Sequence, residues 1–256
     1  MNTTLMISIR VFYFILQHHN QPNMLGLLVI ILVSWGLLHF IEKKHIDVLG
    51  IVPSANRITQ FFLGLILIAS IVLLNIYIET IIQKIEWKAN EVNYAILWNA
   101  FVYHLKSALT EDLIFRGAIL YILIQRIGAT KAILLSAIVF GVYHWFSYGI
   151  LHERWIFLVY VFLITGLNGY VWAYTFHKTK SILLPLAFHL GSNFTMSCFF
   201  ESQPYGELLF SIASKTELTD WSGFLYSFFK GLFPGIATLL CVKLLLKTHF
   251  LNPTVK

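Results

Sequence analysis

Apolar residues run along this chain in long uninterrupted blocks rather than in alternation. The blocks cover residues 24 to 41, 58 to 78, 93 to 127, 131 to 146, 155 to 176, 181 to 199 and 222 to 246, and short stretches carrying most of the charges separate them. A hydrocarbon core of about 30 Å, at a helical rise of about 1.5 Å per residue, asks for roughly 20 apolar residues per crossing. Runs of that kind predict membrane-spanning α-helices, because a closed β-barrel would alternate every second residue. Residues 5 to 17 form a shorter apolar stretch that includes Arg10. It reads either as a first span or as a helix in the interface, where a long arginine can snorkel. The expected fold class is all-α: a polytopic transmembrane helix bundle of seven or eight spans.

Composition agrees with the pattern. Of 256 residues 58% are hydrophobic and only 12% charged, far from a soluble globular domain. No long polar block interrupts the runs, so one membrane domain is expected. Within it, 1–92 supply the N-terminal helices, 93–199 a core, and 200–256 a polar loop with the last helix. The start, "MNTTLMISIRVFYFILQHHNQPN", lacks a charged n-region and a small-residue cleavage site and does not read as a cleaved signal peptide. Cys198 and Cys241 both lie in apolar runs and imply neither a disulfide framework nor a metal cluster.

The net charge of +6 is explained by basic loops, since no soluble basic module is present; nucleic acid is not an expected partner. If 93 to 127 crosses once, one side collects Lys43, Lys44, Arg57, Arg126, Lys131, Lys178, Lys180, Lys243, Lys247 and Lys256. The other side holds Lys84, Lys88, Arg154 and Lys215. Ten against four is a strong bias, whereas splitting 93 to 127 into two crossings leaves nine against five. A single, kinked crossing is preferred, with the C-terminus and the loop at 42 to 57 cytoplasmic. The most polar connection, 200 to 221, carries Glu201, Glu207, Glu217 and Asp220 against Lys215 and fits the opposite side.

Charges inside the spans change the picture further, because a charge at mid-bilayer costs about 3 kcal/mol or more and normally faces protein or a wet cavity. "SALTEDLIFRGAIL" places Asp112 and Arg116 at i,i+4 on one helix face, in the favourable order for an ion pair. Glu111 lies about 100° around from Asp112 and is left over. "VFGVYHWF" adds His144, and "PLAFHLGSNF" adds His189 and Asn193 on one face. Measured from the cytoplasmic helix ends at about 1.5 Å per residue, Glu111 lies about 24 Å in, His144 about 20 Å, His189 about 12 Å and Asn193 about 18 Å. Four polar groups from three helices therefore share one slab of the bilayer.

Such a set offers three chemistries. Glu111 and His144 can hold a water whose proton the carboxylate takes, while His189 and Asn193 donate to the oxyanion of an attacked peptide carbonyl. Glu111, His144 and His189 can instead bind a divalent metal such as zinc that acidifies the water, although no H-E-x-x-H occurs. A proton or ion relay in a transporter is the third, and the chain lacks the repeated halves usual there. Either enzyme needs water deep in the membrane and implies a central polar cavity, open to the cytoplasm.

The blocks "EDLIFRG", "FGVYH" and "HLGSN", in this order and in consecutive spans, resemble the E-E-x-x-x-R, F-x-x-x-H and H-x-x-x-N motifs of the CPBP intramembrane proteases, also called the Abi or CAAX-protease-like family. The resemblance covers about residues 93 to 199. It implies that Glu111 is the catalytic glutamate, His144 its water-activating partner, and His189 with Asn193 the oxyanion hole. Arg116 corresponds to the motif arginine, and Asp112 replaces the second motif glutamate in a supporting role. The family has been described both as metalloproteases and as metal-independent glutamate proteases. It also includes bacteriocin-processing and immunity proteins, so a non-proteolytic immunity or scaffold protein is the alternative to an endopeptidase. The expected partners are membrane lipid and a membrane-associated or lipid-modified peptide or protein substrate. The compact chain with minimal loops fits a bacterial cell membrane, where prenylated tails are not the natural substrate.

The remaining polar features have plainer readings. Lys230, in "SFFKGLFPGIATLL", lies beside Gly231, Pro234 and Gly235, which suggest a kink. Lys106 is read as snorkelling or carboxylate-paired. Trp87, Trp98, Trp145, Trp155, Trp172 and Trp221 are read as interfacial anchors near span ends. The adjacent His18 and His19 suggest no function.

Overall fold

A computed structural model describes residues 24–247. The possible span at 5 to 17, with Arg10, His18 and His19, and the tail with Lys256 lie outside the described residues. Helix α1 (Met24–Leu37) runs on through a π-helical turn at Leu38–Glu42, and a 3-10 turn follows at Ile46–Leu49. Then come α2 (Ala55–Gln83), strand β1 (Glu86–Ala89), α3 (Tyr94–Arg116), α4 (Ala118–Ile127) and α5 (Ala129–Ser147). The order closes with α6 (Trp155–Thr179), α7 (Leu183–Ser197), strand β2 (Phe210–Ser214) and α8 (Asp220–Leu245).

Local chemistry sets several of these boundaries. Ser54 caps α2 by accepting from the Arg57 amide at 3.4 Å, and the Asn93 side chain caps α3 by accepting from Ala95 and Ile96 at 3.0 and 3.2 Å. The long apolar run from 93 to 127 is broken at Gly117, whose backbone (φ −82°, ψ −136°) is neither helical nor extended and separates α3 from α4. A Cβ at Gly117 would collide with the Leu113 carbonyl, so the break needs glycine.

Among the described residues five helical segments are long and apolar enough to cross a membrane: Met24–Glu42, Ala55–Gln83, Ala129–Ser147, Trp155–Thr179 and Asp220–Leu245. The other two long elements depart from that measure for clear reasons. α3 carries Lys106, Glu111, Asp112 and Arg116, and α7 has only 15 residues.

The burial pattern is that of a bundle in lipid. Leu32, Ile66, Leu240 and Leu244 are exposed, while Asn75, Glu79, His104, Asp112, Arg116, His144 and His189 are buried. Lipid tails solvate the apolar surface as well as protein does, so polar groups and close packing hold such helices together. This is an integral membrane protein built mainly of α-helices.

Contacts between connections define two ends of the bundle. At one end Arg126 pairs with Glu42 at 2.9 Å, and the Ile182 amide donates to the Leu49 carbonyl at 2.9 Å. At the other end the Thr216 amide donates to the Gln83 carbonyl at 2.7 Å, and the Asn90 amide to that of Leu209 at 2.9 Å. The connections 43–54 and 180–182 thus share one end, and 84–92 and 198–219 the other. The second end also holds the loop 148–154, because α6 and α5 run antiparallel between the same two levels.

At that second end the structure adds what an all-α reading lacks. β1 and β2 pair antiparallel, Trp87 opposite Ile212 and Ala89 opposite Phe210, with an irregularity between Glu86 and Trp87. Strands of four and five residues inside polar connections carry too little alternation to stand out in a sequence.

A buried polar joint ties α8 to α2. Pro234 lies inside α8 and has no N–H, so it cannot bond the carbonyl four residues back, which belongs to Lys230. Asn75 Nδ2 of α2 donates to that carbonyl at 3.0 Å, and Lys230 Nζ pairs with Glu79 one turn further along α2.

Candidate active site

Three helices carry the sequence-predicted groups, and Glu111, Asp112, Arg116, His144 and His189 are within reach of one another. α3 supplies Glu111, Asp112 and Arg116, α5 supplies His144, and α7 supplies His189 and Asn193. His189 is the hub. Its Nδ1 lies 3.4 Å from Asp112 Oδ1, and its Nε2 lies 3.7 Å from Glu111 Oε2. One imidazole therefore faces both acids with its two ring nitrogens. A carboxylate can only accept, so the contact to Asp112 puts a proton on Nδ1.

Asp112 serves two partners. The same Oδ1 that faces His189 is 3.4 Å from Arg116 Nη1, and both side chains are fully buried. The i,i+4 pair read from the sequence is present, but it also orients the histidine.

Arg116 is held mainly by ring faces. Its guanidinium carbon lies 3.9 Å from the centroid of Phe140, 5.0 Å from Trp172 and 5.7 Å from Phe115. Cation–π attraction of this kind gains strength when the ion is desolvated. Trp172 also stacks on His189 at 4.2 Å between centroids, with 21° between planes. At 7% exposure it is a wall of the site rather than an interfacial anchor. Trp87 likewise packs inward, donating from Nε1 to Thr80 Oγ1 at 2.9 Å and meeting Phe199 and Phe200 edge to face. Sequence position near a span end misassigns Trp172, whose packing against a neighbouring helix leaves no local signal.

His144 is buried, and its Nδ1 lies 2.8 Å from the Phe140 carbonyl. A carbonyl only accepts, so Nδ1 carries the proton and a neutral ring keeps its lone pair on Nε2. The four-residue spacing from Phe140 to His144 thus has a double use: the backbone of Phe140 fixes the tautomer of His144, and its ring carries Arg116. Asn193 lies one turn beyond His189, half-buried, with no side-chain hydrogen bond among the described residues. Thr110 spends its hydroxyl on the Lys106 carbonyl at 2.7 Å and does not reach Glu111. Glu111 Oε2 is buried without a hydrogen-bond partner among the described residues.

Further groups surround Glu111 that the motifs do not contain. Tyr103, Tyr143 and Tyr148 all lie within electrostatic reach of its carboxylate. Tyr103 in α3, Tyr143 near the end of α5 and Tyr148 just past it lead towards the loops 148–154 and 198–219. His144 itself lies only three residues before the end of α5 at Ser147. The tyrosine-lined side of the site therefore faces the end of the bundle opposite Lys43, Lys44, Arg126 and Lys180.

Among the described residues no three of His, Cys, Asp and Glu are arranged to hold an ion. His189 turns Nδ1 to Asp112 and His144 turns Nδ1 to the Phe140 carbonyl, so each ring keeps Nε2 for the site. What the arrangement offers is a buried carboxylate with free lone pairs, two histidines of defined orientation, a free amide, and a paired acid and cation behind them. That is equipment for moving a proton and stabilising an anion within a membrane protein.

Residues 93–195 match the family model described as type II CAAX prenyl endopeptidase Rce1-like. The matched stretch carries the three motifs, and the hit agrees with their resemblance to the CPBP, or CAAX-protease, family. No curated protein and no solved structure matches the chain significantly.

Proposed function

We propose that this protein is an intramembrane endopeptidase that hydrolyses a peptide bond of a membrane-associated or lipid-modified peptide or protein. The observation that carries the reading is the His189 ring set between Glu111 and Asp112, at 3.7 and 3.4 Å, within the segment that matches the CAAX-protease model.

In the proposed mechanism a water lies between Glu111 and Nε2 of His144. Glu111 takes one proton as the water oxygen adds to the carbonyl carbon, and His144 Nε2 accepts the second O–H to aim the attack. The developing oxyanion accepts from Asn193 Nδ2 and from His189 in its doubly protonated form, whose Nδ1–H stays on Asp112. Collapse breaks the C–N bond, and the proton on Glu111 passes to the leaving amine. Arg116 fixes Asp112, and Asp112 fixes His189. No step runs through a metal.

Seven or eight crossings around a central polar cavity, with 93–199 as the catalytic core between N-terminal helices 1–92 and the closing segment 200–256, complete the proposal. The bias of Lys and Arg sets the C-terminus in the cytoplasm of a bacterial cell. The tyrosine-lined side then faces outward, so the cytoplasmic opening expected from the sequence gives way to access from the opposite face.

The test is cleavage of a peptide pool by purified protein in lipid or detergent. Glu111→Ala and His144→Ala should lose about 10²- to 10⁴-fold in rate, and Asn193→Ala about 10²- to 10³-fold. A chelator should leave the rate unchanged. Variants that cleave like wild type would end the catalytic assignment, and inhibition by chelator that zinc reverses would replace the metal-free mechanism. No cleavage by wild type, with cellular protection retained in Glu111→Ala, would favour the binding role of an immunity protein.

A further inference from the structure

The connection from α7 to β2 folds back over α3 beside the site. His104 is 2% exposed, and its Nε2 lies 3.2 Å from the Pro204 carbonyl, to which it donates. Seven residues separate His104 from Glu111, nearly two whole turns, so the two share a helix face. His104 also lies within electrostatic reach of His189. Next to Pro204, the ring of Tyr205 meets that of Tyr103 at 5.5 Å. Tyr103 in turn is within electrostatic reach of both Tyr205 and Glu111.

This segment has a defined shape. Tyr205 and Glu207 both adopt left-handed backbone at φ 57°, a conformation that side chains other than glycine adopt at a cost. Between them a Cβ on Gly206 would lie 2.7 Å from Glu201 Cα and would strike the Phe200 carbonyl. The far end is tied down as well. Asn90 Nδ2 donates to the Glu207 carbonyl at 2.7 Å, and the Leu209 and Phe210 amides both donate to the Cys198 carbonyl at 3.0 Å. Two left-handed residues in a row of three, fixed at both ends, hold Tyr205 against Tyr103 rather than letting it wander.

We propose that Tyr103 and Tyr205 form the specificity wall of the site, receiving the substrate side chain beside the scissile bond, and that His104 is the positioning residue that holds this wall. The proposal rests on the peptidase reading above. Tyr143, near the end of α5, and Tyr148, just past it, lie within electrostatic reach of the same carboxylate, so phenol rings from two helices and a loop stand on this side of Glu111. Ring faces favour a large apolar side chain, an aromatic one above all. Glu111, with Glu201 and Glu207 on the covering segment, disfavours an acidic one.

The test uses peptides that vary only at the residue beside the scissile bond, with Phe, Ala or Asp there. For wild type, kcat/KM should fall in that order. Tyr205→Ala should lower kcat/KM for the Phe peptide about tenfold, chiefly through KM, and leave the Ala peptide within about twofold. Tyr205→Phe should restore the preference, and His104→Ala should lose it as Tyr205→Ala does. An uncleavable reduced-amide Phe peptide bound to Glu111→Gln supplies a readout without turnover, and Tyr205→Ala in that background should weaken it by a similar factor. Equal losses on all three peptides, or none on any, would overturn the wall. Failure of the peptidase reading looks different: Glu111→Ala would then cleave as well as wild type.

Discussion

At the scale of single residues, the buried arginine has an unusual set of neighbours for an ion in a membrane. Arg116 is paired with Asp112 at 3.4 Å, yet its three guanidinium nitrogens find no hydrogen-bond partner among the described residues. The faces of Phe140 and Trp172 do part of the work of a solvent. Removing the cation leaves Asp112 buried and uncompensated, so Arg116→Ala should cost about 3 to 5 kcal/mol. Adding Asp112→Asn should recover part of the loss, because the uncharged amide needs no counter-ion. A double-mutant cycle on unfolding in mixed micelles measures this coupling, and additive losses would show that the pair acts independently. The i,i+4 spacing of Asp112 and Arg116 was legible in the sequence, as was the surplus of Glu111. The aromatic support was legible only in part. Phe140 belongs to a motif that marks it, but Trp172 reaches the site through the packing of α6 against α7 and carries no local sign.

At the scale of elements, the kink of α8 shows how one helix repairs another. Pro234 withholds a donor from the Lys230 carbonyl, and Asn75 of α2 provides one at 3.0 Å. An orphaned carbonyl in a low-dielectric interior costs about 1 to 3 kcal/mol. Asn75→Ala should therefore destabilise the protein by that amount, and should cost far less in a Pro234→Ala background, where the helix supplies its own N–H. Unfolding of the four proteins in micelles reads the difference; an equal cost in both backgrounds would detach Asn75 from the proline. The sequence announces the kink through Gly231, Pro234 and Gly235, and it places Lys230 beside it. It says nothing of Glu79 as the partner, since residues 151 apart meet only through the docking of α2 against α8. Long apolar helices were legible because lipid demands an uninterrupted run, while the ribbon of β1 and β2 was not. Its strands owe their form to each other rather than to their own alternation.

At the scale of the whole molecule, two lines of reasoning meet at the question of sidedness. The hydrogen bonds between connections group 43–54 with 180–182, and 84–92 with 198–219, whichever way the protein inserts. On the proposed orientation, drawn from ten lysines and arginines against four, the first end and the C-terminus are cytoplasmic. Because Tyr103, Tyr143 and Tyr148 lead from Glu111 towards the second end, substrate is expected from the extracytoplasmic face. Single cysteines placed by Lys44→Cys, Lys88→Cys and His152→Cys, in a background without Cys198 and Cys241, test this with a membrane-impermeant maleimide on intact cells. Lys88→Cys and His152→Cys should label from outside and Lys44→Cys only after lysis. The inverse pattern would keep the fold and turn the site to the cytoplasm, making cytoplasmic tails its substrates. Unequal behaviour of Lys88→Cys and His152→Cys would break the grouping of the connections themselves, and with it the single crossing of α3 and α4 on which the position of Glu111 in the bilayer depends.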